Sequence, residues 1–100
     1  MKGAVWYNNY ESGCNKLTDI INEYVRWYGE EIIENICKSK NEYYVEFKNG
    51  DFWKIIRATD SARGHKVNIS YIDHNISKVI QQCIIKPCTI ASPFRAFNYY

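Results

Sequence analysis

Two β-rich runs, Tyr43-Tyr44-Val45-Glu46-Phe47-Lys48 and Asp51-Phe52-Trp53-Lys54-Ile55-Ile56-Arg57, flank Asn49-Gly50, and this junction constrains the chain more than any other feature. Asn-Gly between β-formers favours a two-residue type I′ turn, because both central residues need positive φ. Such a turn sets the register: Lys48 faces Asp51, Phe47 faces Phe52, Glu46 faces Trp53, Val45 faces Lys54, Tyr44 faces Ile55 and Tyr43 faces Ile56. Tyr43, Val45, Phe47, Phe52 and Ile56 then form the core face. Glu46, Lys48, Asp51 and Arg57 form the other, together with Tyr44, Trp53 and Ile55. Lys54 falls on the core face, where it either snorkels past its neighbours or serves a site, and snorkelling is the expectation.

The other elements arrange themselves around this hairpin. Ala4 to Tyr7 reads as a first strand, followed by a loop through Gly13. Leu17, Ile20, Ile21, Tyr24, Val25, Tyr28, Ile32 and Ile36 then recur at helical spacing, which predicts one long helix with Asn15 as its N-cap. Gly29 marks a bend or break in it. Thr59 to Lys66 is a polar loop, and Val67 to Asp73 a strand with Val67, Ile69 and Tyr71 on one side. A shorter helix is expected from Ile76 to Ile85, ending before Pro87. Residues 88–100 read as an aromatic tail with Pro93, Phe94, Phe97, Tyr99 and Tyr100 and no regular period. The fold class expected is α/β, with α+β as the alternative: residues 1–100 as one domain, a small mixed sheet of about four strands, one long helix on one face and a shorter C-terminal helix.

Thirteen Lys+Arg against eleven Asp+Glu leave a formal charge of +2, too little for gripping nucleic acid by bulk electrostatics alone. No apolar run approaches the ~20 residues of a membrane span, so no membrane partner is expected. The first seven residues lack the apolar core of a signal peptide, so the expected location is the cytoplasm. Cys14, Cys37, Cys83 and Cys88 have no zinc-knuckle spacing and read as reduced side chains that pack like small hydrophobes.

The run Phe47-Lys48-Asn49-Gly50-Asp51, then Ala58-Thr59-Asp60-Ser61-Ala62-Arg63-Gly64, then Ile69-Ser70-Tyr71-Ile72-Asp73 resembles the middle of the ATPase domain of phage large terminases and related helicase-like P-loop proteins. In that family an Asn-Gly hairpin leads to a polar Arg-Gly loop and then to the strand with the acidic Walker B pair. The resemblance covers residues 5 to 87 in outline and about 45 to 73 at residue level. It implies that Asp73 stands at the Mg²⁺-binding aspartate. His74 stands where the family has the glutamate that orients water, and no G-x-x-x-x-G-K-[ST] occurs anywhere. Without the phosphate loop and the water-positioning base, ATP hydrolysis is not expected.

Three functions follow for weighing. The first is a small, non-catalytic accessory or inhibitor protein of phage or prophage type. It would bind a protein partner of a nucleic-acid or host-defence system through aromatic surface, with self-association left open. The second is a nucleic-acid or nucleotide-binding module using Arg57, Arg63, Gly64, His65 and Lys66, with Tyr44 or Trp53 as stacking surfaces. The third is a metal-dependent nuclease built on Asp60, His65, Asp73 and His74, with Asp73 the weak metal candidate. His65 and His74 lie about 30 Å apart along an extended strand, which argues against it. No cofactor is expected.

Overall fold

Lys2–Tyr7 forms strand β1, whose residues alternate between two buried faces. The computed structural model describes residues 1–91 and 94–100. Helix α1 (Tyr10–Tyr28) follows, then β2 (Ile33–Lys38), β3 (Tyr43–Phe47), β4 (Phe52–Arg57) and β5 (Ile69–Ile72). A second helix, α2, spans residues 78–88, and β6 (Ala96–Tyr99) ends the chain. The six strands lie in the order β2-β3-β4-β1-β5-β6, and β3 alone runs against its neighbours. This is the mixed α/β sheet expected, enlarged by two strands.

Of the two extra strands, one comes from a segment with helical spacing and the other from the tail without a regular period. The helical spacing that reaches Ile36 is interrupted at Gly29, whose φ of 84° ends α1, with its N–H donating to Val25 O. Ile32 and Ile36 therefore leave the helix, and Ile36 enters edge strand β2 opposite Val45. The helix also starts earlier than Asn15: Asn9 is the N-cap, its side chain accepting from Ser12 N at 3.0 Å. The tail, expected to have no regular period, contributes β6, parallel to β5; its Pro93 lies outside the described residues.

The hairpin forms with a different turn. Gly50 N donates to Phe47 O, and Phe47 N donates to Asp51 O, closing a three-residue connection in which Gly50 has φ 93°. Among the described residues no non-glycine has positive φ, so Asn49 is not in the conformation that a type I′ turn requires. The register moves by one: Val45 faces Trp53, Tyr44 faces Lys54 and Glu46 faces Phe52. A one-residue slip transfers every β4 side chain to the opposite face. Trp53 and Ile55 join the core with Tyr43, Val45 and Phe47, while Phe52 and Lys54 leave it.

Two cores result. On the first face α1 lays Cys14, Leu17, Ile20 and Ile21 over Val5, Tyr7, Val45, Phe47, Trp53 and Ile55. On the second, Ala4, Trp6, Ile56 and Ile72 are sealed by Ala62 of the 3₁₀ turn Asp60–Gly64 and by Ile84, Ile85 and Cys88 of α2. Val67 belongs to this second core, whereas Ile69 and Tyr71 pack toward the first, so the expected common side for all three is not kept.

Helix α2 runs through Pro87 instead of ending before it, because Gln81–Ile85 is a π-helical turn. The carbonyl of Cys83, which an N–H at position 87 would meet in a regular α-helix, accepts from Arg63 Nη1 at 3.5 Å.

A chain of buried hydrogen bonds ties β1, β5 and α2 together. Trp6 Nε1 donates to Ser70 Oγ at 2.9 Å; the Ser70 and Thr89 hydroxyls lie 2.7 Å apart; and Thr89 Oγ1 donates to Ile85 O at 2.7 Å. Trp6 and Ser70 are fully buried. Ser70→Ala strands the Trp6 N–H and is expected to lower unfolding stability by about 1–3 kcal/mol, read from urea midpoints.

Candidate functional site

The register of β4 decides what the second face displays. Phe52, Lys54 and Ile56 stand there beside Lys2, Ala4 and Trp6 of β1, their direct cross-strand partners. Helix α2 and the Asp60–Gly64 turn cover Trp6 and Ile56 but leave Phe52, Lys54 and Tyr44 only partly buried.

Two adjoining cavities open along this uncovered strip. One, about 270 Å³, is lined by Tyr44, Lys54, Arg57, Thr59 and His65 among others. The next, about 390 Å³, is lined by Lys2, Phe52, Lys54, Gly64, His65 and Lys66 with Val67. Lys54 and His65 belong to both walls and join the cavities into a groove. The Tyr44 and Phe52 rings lie 5.7 Å apart at 33°, edging the strip with aromatic surface.

Charge is distributed unevenly around this groove. Its walls carry Lys2, Lys54, Arg57 and Lys66 against one carboxylate, Glu42. The rest of the chain, with nine cations and ten carboxylates, is net negative by one. The small overall charge of +2 therefore conceals an excess of +3 around these two cavities, which falls to +1 where a further cavity adjoining at Lys2 and Phe52 adds Glu46 and Asp51. Glu46 lies on the same face of β3, opposite Phe52, and faces the exposed end of the strip.

His65 packs edge-on against Trp6, centroids 6.4 Å apart. Its partial burial, and then the charge of Lys54, lower its pKa below the ordinary value of about 6.5. The imidazole is thus neutral at pH 7. Because the folded chain binds this proton less tightly than the unfolded chain, its contribution to stability is present above pH ~6.5. It is lost as pH falls through the lowered folded value. His65→Gln is expected to flatten this acid-side loss, measured as urea midpoints at several pH values between 5 and 8. The Tyr44 phenol is pushed upward chiefly by neighbouring Cys37, so it presents a neutral ring.

The structure sorts the residues singled out from sequence. Arg57, Gly64, His65, Lys66 and Tyr44 all line the groove. Arg63 does not: it reaches Asp60 at 3.6 Å and the Cys83 carbonyl, and so braces the turn against α2. Trp53 is 3% exposed on the opposite face, donates to Tyr24 Oη and packs edge-on to Tyr71, so it offers no surface for stacking. Asp73 is 3% exposed, and its Oδ1 accepts from Asn75 N at 2.9 Å, closing the turn after β5. His74 contacts the backbone carbonyl of Tyr100. Asp73 and His74 approach one another, Oδ1 to Nδ1 at 3.7 Å, but among the described residues no three His, Cys, Asp or Glu side chains are grouped to hold a metal ion, so Asp60 and His65 do not complete a set with them. Lys2 and Phe52 were missed by sequence reasoning; the signal lay in the one-residue register and in the pairing of β1 with β4.

No helix among the described residues is long and apolar enough to cross a membrane. Comparison with family models, curated proteins and solved structures found no match to this chain.

Proposed function

We propose that this chain is a non-catalytic binding module for nucleic acid or a nucleotide, with the groove between β4 and the Gly64–Lys66 segment as its working surface. The observation that carries this reading is the charge partition: four cations and one carboxylate line a groove in a chain that is otherwise net negative. Cations arrayed along a strip match a row of phosphates, and backbone at Gly64 permits close approach. An accessory role of phage type, which the terminase-like run implies, requires only such binding.

The test is fluorescence anisotropy of a labelled oligonucleotide titrated with wild-type protein across a salt series. Contact by three or four cations gives an affinity that falls with log salt at a slope of roughly −2 to −4. A salt-independent affinity, or none at low salt, counts against the proposal.

A protein partner is the second reading, favoured by Trp27 and Tyr28, which are 77% and 61% exposed near the end of α1. Exposed rings of this size mark contact surfaces in many proteins.

A further inference from the structure

Resting on the nucleic-acid reading, we propose that the groove takes a single strand, whose unpaired bases stack on Phe52 and Tyr44 while Lys2, Lys54, Lys66 and Arg57 follow its phosphates. Phe52 and Tyr44 project from adjacent strands on one face, both half-buried, with their rings 5.7 Å apart. An aromatic face recognises the π-face of a base, and in a duplex that face is hidden by the next base pair. A duplex would offer this groove only its backbone.

Two cations share the face of the rings: Lys2 stands opposite Phe52, and Lys54 stands two residues along β4, opposite Ala4. The uncovered stretch from Phe52 to Lys54 is about 7 Å, room for about two stacked bases at 3.4 Å each. Lys54 lines both cavities, Lys66 lines the second, and Arg57, on the opposite face of β4 at its far end, lines the first. Glu42 and Glu46 flank the Tyr44 side, so the anionic backbone is directed toward the lysine wall and the bases toward the rings. Alternation of ring and cation along a groove is the arrangement by which single strands are held without sequence preference.

The test compares, at one low salt concentration, a fluorescent thymidine oligonucleotide of about twelve nucleotides, the same strand in duplex form, and inorganic polyphosphate as competitor. Wild-type protein is expected to bind the single strand at least ~10-fold more tightly than the duplex. Phe52→Leu, which keeps apolar volume but removes the ring, is expected to weaken single-strand binding roughly 5- to 100-fold, and Phe52→Tyr to retain it. Tyr44→Leu repeats the test independently, with circular dichroism melting checking that each variant is folded. Equal affinity for single strand and duplex, unchanged binding by both leucine variants, or displacement of the strand by polyphosphate at equal phosphate concentration would each overturn the single-strand proposal while leaving salt-sensitive nucleic-acid binding standing. Absence of salt-sensitive binding to either form overturns both.

Discussion

Lys54→Glu is expected to weaken oligonucleotide binding by at least about tenfold, some 1.4 kcal/mol, at low salt, and to reduce the salt slope by at least about one. Of the cations that line the groove, Lys54 is the one that lines both cavities. The local balance of four cations against one carboxylate becomes three against two. The same substitution also places an anion beside His65, whose pKa is lowered in part by the Lys54 charge. The imidazole should therefore titrate at higher pH in the variant, by the sign of Coulomb's law. A histidine titration followed by NMR separates this from unfolding: an upward shift with intact dispersion reports a folded variant with altered charge. Wild-type affinity in a folded Lys54→Glu variant would detach binding from the groove.

Gly3→Ala is expected to destabilise the fold by about 1–3 kcal/mol. A Cβ at position 3 would sit 2.4–2.5 Å from three atoms of the Trp53 indole, well inside contact distance. The indole has little freedom to withdraw. Its Nε1 donates to Tyr24 Oη at 3.1 Å, Tyr24 Oη donates in turn to Asp51 Oδ2 at 2.7 Å, and Tyr71 packs edge-on at 5.5 Å. Tyr24 is itself stacked on Phe47, ring centroids 3.8 Å apart. Trp53→Leu alone creates a void and is expected to cost about 2–4 kcal/mol. In Gly3→Ala/Trp53→Leu the added methyl enters that void, so the double variant should be more stable than the sum of the single effects predicts. Urea midpoints of the four proteins measure this coupling. Strict additivity would mean that the close approach of β1 and Trp53 is not what holds glycine at position 3.

Much of the architecture was legible because it depends on local pattern. The first strand, the hairpin, the amphipathic segment Leu17 to Tyr28 and the strand before Asp73 each carry their own signal in spacing or turn chemistry. What escaped depends on choices the local pattern leaves degenerate. Asn49-Gly50 suits a two-residue turn with both residues at positive φ and equally a three-residue turn with only Gly50 there. The alternatives differ by one residue, and that residue decides whether Lys54 faces the core or the groove. Ile32 and Ile36 continue a helical spacing past Gly29, yet Ile36 pairs with Val45 at the sheet edge, a long-range choice. Pro87 marks a helix end in sequence, but a π-helical turn upstream and the Arg63 guanidinium accommodate it.

The candidate site shows the same division. The basic segment from Arg57 to Lys66 was visible as composition, and the structure brings Arg57, His65 and Lys66 to one groove. Arg63 looked equivalent to them but is directed to Asp60 and α2. Trp53 and Phe52 exchanged roles through the register: the indole went to the core, and the neighbouring phenyl ring became the exposed aromatic surface. Lys2 joined from a distant part of the sequence because β1 lies parallel to β4.

The most direct test of the groove is a map of backbone amide NMR shifts during titration with a single-stranded oligonucleotide. The largest perturbations are expected at Lys2, at residues 52–57 and at residues 64–67, with residues 24–28 of α1 unmoved. Perturbations centred on Trp27 and Tyr28 with the groove silent, or no perturbation anywhere at low salt, would contradict that placement.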